Sequence, residues 1–416
     1  MNMTNYDICI IGTGRVGLPL ALSFIDKGFN VCGIDQDENT RNIINGGEMP
    51  FLEPGYDQLI KSKKLKVYDN FEIIKNCKAI LITVGTPLRP HIETDISYIE
   101  SALESISPYI QKGQLYILRS TVSPHTTMMV KKWLENKNSF RVGEDIFLSF
   151  CPERIAEGKA YEELTELPQI IGVEDEESFK RSEAIFKAFG VDIFRTSYIN
   201  AELVKLYNNI ARYVHFSVAN QLALVADELG GNIYDIIEMT NHKYHRSKIA
   251  FPGFTAGTCL RKDFGMINEW MPTPDLLLSA WKINEFMPNF LVKHIQKRTQ
   301  ITGKKVVILG ASFKSNTDDV RDSLVPKLYR YIKREMPNAI MVNDYFLGSM
   351  INLDGEMVTN TSLDKIKSEI ADIDIIFVGA SHSKYSEFLN NLQEGSGTWI
   401  ADLYNLNKNN QIFYQI

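Results

Sequence analysis

YDICIIGTGRVGLPLALSFIDKGFNVCGID, residues 6–35, carries the reading of the fold. Its first six residues are a short β-favouring run, and GTGRVG follows at once, with Gly12, Gly14 and Gly17. An apolar, helix-like LPLALSFIDKG comes next, and a second apolar run, NVCGID, ends on Asp35, 18 residues after Gly17. In a strand, glycine turn, helix, strand unit that closes on an acid, the helix N-terminal amides hold a pyrophosphate and the carboxylate takes a ribose hydroxyl pair. The glycine pattern alone is a weak signal; its placement makes it specific. Gly12, Gly14, Arg15, Val16 and Gly17 are therefore expected to line a dinucleotide. Asp35 would repel a 2′-phosphate, and Gln36 and Asp37 offer no cation, so NAD is preferred to NADP. Arg41 is near enough in sequence to touch the adenosine side.

Outward from this unit, strand and helix keep alternating. Residues 78–88 (KAILITVGTPL), 114–124 (QLYILRSTVSP) and 145–155 (DIFLSFCPERI) read as buried strands with polar endings. Ligands sit at the carboxyl ends of parallel strands. Thr86, Ser120, Thr121, Glu153 and Arg154 thus point toward one cleft, although any single Ser-Thr pair is more often a loop or helix cap. The loop 49–56, MPFLEPGY, contributes Glu53, to which the sequence assigns no chemistry. From Ser197 the apolar spacing becomes helical and runs to Gly230-Gly231, a helix stop. Lys205 and Asn209 lie four apart on one face of that long helix, among apolar neighbours.

Next comes PGFTAGTCLRKDF, residues 252–264, whose small residues lead into Cys259, Arg261, Lys262 and Asp263. A cysteine in a loop is more often an inert small hydrophobe than a nucleophile. After a second helical segment, KKVVILGASFKSNTDDVRDS repeats the strand and glycine-turn logic without the full fingerprint. Strand-like AIMVND, DIIFVGA and TWIADL complete a second α/β domain. Lys314 and Arg321 on its switch loop either bind phosphate or pair with Asp318 and Asp319. The expected fold class is α/β, two Rossmann-like doubly wound parallel-sheet domains joined by a long central helix and a helical middle domain. The boundaries fall at 1–196, 197–300 and 301–416.

Composition bounds the function. With 416 residues, 44% of them apolar and 23% charged, the chain suits a multi-domain globular protein. A net charge of −6 argues against nucleic acid or an anionic membrane as partner. The start lacks a signal-peptide pattern, and no apolar run reaches membrane-span length. Five scattered cysteines, without CxxC or Cys/His spacing, indicate neither a disulfide frame nor a zinc site, so no metal is expected and the cytoplasm is the expected compartment.

Taken together, GTGRVGLPLA, EPG, VGTPL, STVSPHTT, CPERIAEGKA, AELVKLYNN, AGTCLRKD and FKSNTDDVRDS, in this order, resemble the UDP-glucose/GDP-mannose dehydrogenase family over nearly the whole length. The resemblance implies an N-terminal NAD domain, a dimerising helical middle and a C-terminal UDP-sugar domain. It also implies oxidation of a sugar C6 alcohol to a carboxylate, with two NAD consumed per sugar and no metal. Cys259 matches the family nucleophile, with Lys205, Asn209 and Asp263 as polar companions, and Thr121 and Glu153 match positions that manage water and protons. Thr86, Ser120 and Arg321 fall on the cofactor side; Arg154, Arg246, Phe251, Gly257 and Lys314 fall on the substrate side. CPERIAEGKA looks more like the UDP-N-acetylhexosamine branch, especially the UDP-N-acetylmannosamine dehydrogenases, than the UDP-glucose branch. Thr255-Ala256 stands where many relatives carry glycines, and Gln221 where an acid is frequent.

The chemistry of the residues agrees with that implication. An aldehyde has no leaving hydride until a nucleophile adds, and a thiolate at C6 would give a thiohemiacetal, then a thioester that water hydrolyses. A helix starting after Gly257 and a nearby Lys205 would both favour the thiolate. UDP-glucose as substrate and a catalytically dead NAD-binding regulator are the competing readings; the second predicts erosion of the reactive set, which is complete. A simple hydroxyacid dehydrogenase would leave Cys259 and the second α/β domain unexplained. A homodimer through the central helix is expected, with neither nucleic acid nor membrane as partner.

Overall fold

The protein is described from a computed structural model that covers residues 5–416 apart from 63–64, 90–92, 269, 271–272, 274 and 393–394. The chain divides into two compact units, residues 1–208 with 262–271, and residues 209–261 with 272–416.

The first unit contains β1 (Tyr6–Ile11), β2 (Val31–Ile34), β3 (Lys66–Tyr68), β4 (Cys77–Ile82), β5 (Leu88–Arg89), β6 (Glu93–Thr94), β7 (Leu115–Leu118), β8 (Phe147–Phe150), β9 (Gln169–Gly172) and β10 (Ile193–Thr196). β5 and β6 form a short antiparallel ladder; the others make one sheet in the order β10-β9-β8-β7-β4-β1-β2-β3. Its pairings are parallel except at β8–β9, where Phe150 meets Gly172 antiparallel. The connecting helices are α1 (Gly17–Asp26), α2 (Glu38–Asn45), α3 (Asp57–Ser62), α4 (Ser97–Ile106), α5 (Thr126–Asn138), α6 (Ala160–Glu163) and α7 (Glu176–Phe186).

Strand alternation explains how both faces are buried. Ile8 and Ile10 face Leu20 and Phe24 of α1, whereas Cys9 and Ile11 face the side of Ile99 and Leu103 on α4 and Leu134 on α5. Phe24 is fully buried, with ring centroids 5.5, 6.0 and 5.1 Å from those of Phe29, Phe186 and Phe189. A large-to-small change at such a site costs about 3–5 kcal/mol. Helix α1 tolerates Pro19 because the first turn leaves that N–H without a helical acceptor.

The long periodic stretch forms α8 (Tyr198–Glu228), followed by α9 (Ile233–Asn241), α10 (Thr258–Asn268) and α11 (Asp275–Gln296). In the second unit β11 (Lys305–Leu309), β12 (Ala339–Asn343), β13 (Met350–Leu353), β14 (Glu356–Thr359), β15 (Ile375–Val378), β16 (Trp399–Ala401) and β17 (Phe413–Gln415) alternate with α12 (Val325–Arg334), α13 (Leu363–Ser368) and α14 (Ser383–Asn390). The sheet runs β12-β11-β15-β16-β17, parallel but for the edge strand β17; β13 and β14 pair apart as a hairpin. Val306, Ile308, Ile375 and Phe377 bury one face against α9 and α11, while Val307, Leu309, Ile376 and Val378 bury the other with Tyr385 and Leu389 of α14. Among the described residues no helix is long and apolar enough to cross a membrane.

Candidate functional site

The glycine turn of the first unit is built by sterics. Gly12 has φ +91°, a conformation that L side chains avoid. A Cβ on Gly17 would lie 1.9 Å from the Gly12 carbonyl oxygen, so only glycine lets α1 start this close to the turn. Thr83 Oγ1 donates to that same oxygen at 2.6 Å and ties the end of β4 to the end of β1. Gly14 is exposed, and nothing lies within 4 Å of where its Cβ would be, which leaves the amides at the head of α1 an open cradle. That cradle fits the pyrophosphate of a dinucleotide.

Asp35 does more than wait for a ribose. Its Oδ2 accepts from the Thr13 N–H at 2.7 Å and the Thr13 hydroxyl at 3.0 Å, and Oδ1 accepts from the Asp37 N–H at 3.0 Å. The acid at the end of β2 thus clamps the glycine turn. Arg41 Nη1 donates to the Asp35 carbonyl at 2.9 Å, which brings it to the expected adenosine side. Val16 precedes α1 half-buried, and Arg15 pairs with Glu157 and lies 5.0 Å from the Phe51 ring centroid, engaged by its own chain.

The polar ends of β4, β7 and β8 are linked in the same unit. Ser120 Oγ donates to the Val84 carbonyl at 2.7 Å, and Thr86 Oγ1 donates to the Thr121 carbonyl at 2.6 Å. Lys262 Nζ, from α10, donates to Thr86 Oγ1 at 3.1 Å and fastens the Asp263-bearing part of that helix to these strand ends. Asp263 is 1% exposed and Lys205 7% exposed, so both charged groups are withdrawn from water.

Glu153 is held on every side. Arg119, itself 2% exposed, donates to Glu153 Oε2 through Nε at 2.9 Å and through Nη2, while Oε1 accepts from the N–H groups of Arg154 (2.7 Å) and Ile155 (2.9 Å). A carboxylate has about four lone-pair sites, and these donors occupy them. Arg119 also reaches the Cys151 carbonyl and Gln169 Oε1. Arg154, a candidate substrate contact, donates to the Pro168 carbonyl, and burial pushes its guanidinium pKa down. Glu53 acquires a role: 1% exposed, it accepts from the N–H groups of Gly158 and Ala160, both at 3.0 Å, and so holds CPERIAEGKA in place.

Two of the sequence motifs meet through Glu202. On α8, it accepts from the His125 and Thr127 N–H groups, both at 2.8 Å, and from the Thr127 hydroxyl at 2.6 Å. Burial pushes its pKa up and these donors oppose the shift. The bonds fasten the STVSPHTT turn to the helix turn that carries Lys205.

In the second unit, the stretch before Cys259 is anchored from two directions. Asn220 Oδ1 accepts from the Gly253 N–H at 2.9 Å, and Asn220 Nδ2 donates to Asn284 Oδ1 at 3.0 Å. Gly257, φ +94°, donates its N–H to the Asp322 carbonyl at 3.1 Å, and a Cβ there would strike the Phe313 ring at 2.5 Å. The start of α10 is thereby joined to the switch loop that bears Lys314. Cys259, the second residue of α10, is exposed, and Asn209 is buried. The Arg321 guanidinium pairs with Asp319 through Nη2 at 2.7 Å, the ion-pair alternative read from the sequence. Arg246 is exposed and lies over the Tyr244 ring, and Phe251 is 61% exposed.

The switch loop echoes the N-terminal turn. Asp344, at the end of β12, accepts through Oδ2 from the Ala311 and Ser312 N–H groups, as Asp35 does from Thr13. His382 Nδ1 accepts from the Asn316 N–H at 2.8 Å, so its Nε2–H donates to Asp344 at 3.1 Å.

Arg119, Glu202, Asn284 and His382 escaped the sequence reading. An arginine inside an otherwise apolar strand needs a buried partner, and that signal was available for Arg119.

A glycine-turn dinucleotide domain followed by a helical segment and a second α/β domain with its own switch loop defines a nucleotide-dependent oxidoreductase. The family's NAD-binding, central and UDP-binding domains match residues 6–190, 199–285 and 307–409. The UDP-N-acetyl-D-mannosamine dehydrogenase of Pyrococcus horikoshii is 32% identical over 390 residues, 91% of this chain and 90% of that one. The enzyme of the same name from Campylobacter jejuni is 31% identical over 405 residues, 93% and 98% of the two chains. A solved structure of the Pyrococcus horikoshii UDP-D-ManNAc dehydrogenase superposes with TM-score 0.83 at 29% identity, covering 91% of this chain and 90% of that one. The chain belongs to the UDP-glucose/GDP-mannose dehydrogenase family and is an NAD-dependent nucleotide-sugar dehydrogenase.

Proposed function

We propose that this protein oxidises the C6 hydroxyl of a UDP-N-acetylhexosamine, UDP-ManNAc or UDP-GlcNAc, to the uronic acid in two steps through a cysteine-bound intermediate. The observation that carries the reading is Cys259, an exposed thiol on the first turn of a helix whose entry is shaped by Gly257. First-turn amides favour negative charge. Bound NAD supplies the hydride acceptor, two molecules for each sugar.

In the first oxidation the C6 hydroxyl proton passes to a water molecule as the C6 hydride leaves to the NAD, and the Lys205 ammonium stabilises the negative oxygen; losing one such donor typically costs about 10²–10³ in rate. Cys259 sulfur then bonds to the aldehyde carbon, C6 loses its second hydride, and a thioester remains. Water cleaves that thioester, restoring the thiol and forming the carboxylate. Thr121 and Asp263 orient the water, and Asn209 holds the oxygen with Lys205. Glu153, its lone pairs already occupied, fixes the water-bearing loop rather than taking the proton. By their family match, Lys314, Arg154, Arg246, Phe251 and Gly257 are assigned to the nucleotide sugar, and Thr86, Ser120 and Arg321 to the cofactor. The domain limits 1–196, 197–300 and 301–416 divide these tasks.

The acetamido preference is supported by CPERIAEGKA and by relatives bearing the UDP-N-acetyl-D-mannosamine name. A homodimer through α8 is supported by Val218, Leu222 and Val225 of that helix, 45, 37 and 48% exposed at helical spacing, and by Leu229 just beyond its end, 80% exposed. The test is turnover of NAD with UDP-ManNAc, UDP-GlcNAc and UDP-glucose. Two NADH per N-acetylhexosamine are expected, and turnover of UDP-glucose alone would overturn the substrate assignment. Cys259→Ser should stall at the aldehyde level; uronate formed at the normal rate would exclude the covalent route.

A further inference from the structure

Three thiols that the reaction does not use lie together inside the first unit. Cys9, Cys32 and Cys77 stand on β1, β2 and β4, consecutive in the sheet in the order β4-β1-β2, and are 0, 0 and 5% exposed. Cys9 and Cys32 are direct register partners, and all three side chains join the core on the α4 and α5 face. Their sulfur atoms lie within 4.8 Å of one another, with Cys32 and Cys77 Sγ at 3.8 Å. Cys77 opens β4 and so lies away from the carboxyl strand ends where the glycine turn sits.

We infer that Cys9, Cys32 and Cys77 form a three-thiolate binding site for a thiophilic divalent cation of the zinc and cadmium class. The spacing suits one ion: three sulfurs about 2.3 Å from a cation in their plane stand about 4 Å apart, and a tetrahedral arrangement brings them slightly closer. Among the described residues the cluster contains no fourth His, Cys, Asp or Glu. The Ile73 carbonyl oxygen accepts from Cys77 Sγ at 3.3 Å and is the candidate for a fourth position. Charge selects the valence: a divalent ion with three thiolates leaves one buried negative charge, a monovalent ion leaves two, and buried charge is costly. Sequence separation concealed the set, because neighbours stand 23 and 45 positions apart and no CxxC appears.

The test uses the full chain, reduced, stripped with a chelator, and refolded with cadmium chloride or zinc chloride alone, since a buried site fills during folding. One equivalent should remain after gel filtration, with thiolate-to-cadmium charge-transfer absorption, a raised Tm, and three sulfur neighbours in X-ray absorption. Cys259→Ser should leave the stoichiometry unchanged. Cys9→Ala and Cys32→Ala, each checked for native circular dichroism, should bind more than about 100-fold more weakly, beyond the 10–100-fold effect of losing an outer partner. Wild-type protein that retains no ion, or an ion without three sulfur neighbours, would mean that the trio is ordinary core packing. An ion lost in Cys259→Ser and kept in Cys32→Ala would assign binding to the exposed thiol and overturn the inference equally.

Discussion

Replacing Arg119 by methionine tests whether Glu153 is an anchored carboxylate. The pair is buried on both sides, with side chains 2% and 9% exposed, and Arg119 supplies two of the donors that Glu153 receives. Arg119→Met strands that carboxylate and also removes the guanidinium that donates to the Cys151 carbonyl and Gln169 Oε1 and lies 5.1 Å from the Phe186 ring centroid. Removing one partner of a buried ion pair typically costs about 3–5 kcal/mol. Glu153→Gln keeps an oxygen acceptor for the Arg154 and Ile155 amides but leaves the buried Arg119 guanidinium without its counter-charge, and should likewise cost about 3–5 kcal/mol. In the double variant no charge is left unpaired. The two single costs should therefore overshoot the double by at least about 2 kcal/mol. Urea unfolding of the full chain, with wild type and the three variants at one pH, reads this coupling. An Arg119→Met cost below about 1 kcal/mol, or simple additivity, would refute the reasoning and return Glu153 to the role of a free base.

Three further outcomes are expected. Asp35→Ala frees the Thr13 amide and hydroxyl and should weaken NADH binding by about 10- to 100-fold, the worth of one charged hydrogen-bonding group; unchanged affinity in calorimetry would contradict the clamp. Val225→Asp places a charge in the exposed apolar stripe of α8 and should turn the proposed dimer into monomers in analytical ultracentrifugation; an unaltered dimer would move the interface elsewhere. Asp402 is pushed up to about 6 by burial, against backbone donors at Tyr404 and Leu406. A folded-state pKa above the unfolded one gives stability that is full below about pH 4 and is lost as pH rises through 6, here about 2–3 kcal/mol. Asp402→Asn should remove that fall from the pH profile of unfolding, whatever its constant offset, and a profile parallel to wild type would refute the assignment.

What the sequence alone determined is what neighbours along the chain decide. The turn at Gly12–Gly17, the acid at Asp35, the long helix ended near Gly230 and the helix start after Gly257 were legible because glycine conformations and helical periodicity act over a few residues. The antiparallel pairings of β9 and β17 and the β13–β14 hairpin were not, since short strands take their partners from distant segments. The site divides in the same way. Cys259, Lys205 and Asp263 could be named from their motifs, but Glu202 gripping the STVSPHTT turn, Glu53 holding CPERIAEGKA and Asn220 holding Gly253 needed tertiary structure. Long-range hydrogen bonds leave no period in a sequence, and three cysteines on adjacent strands become a cluster only when the sheet brings their strands side by side.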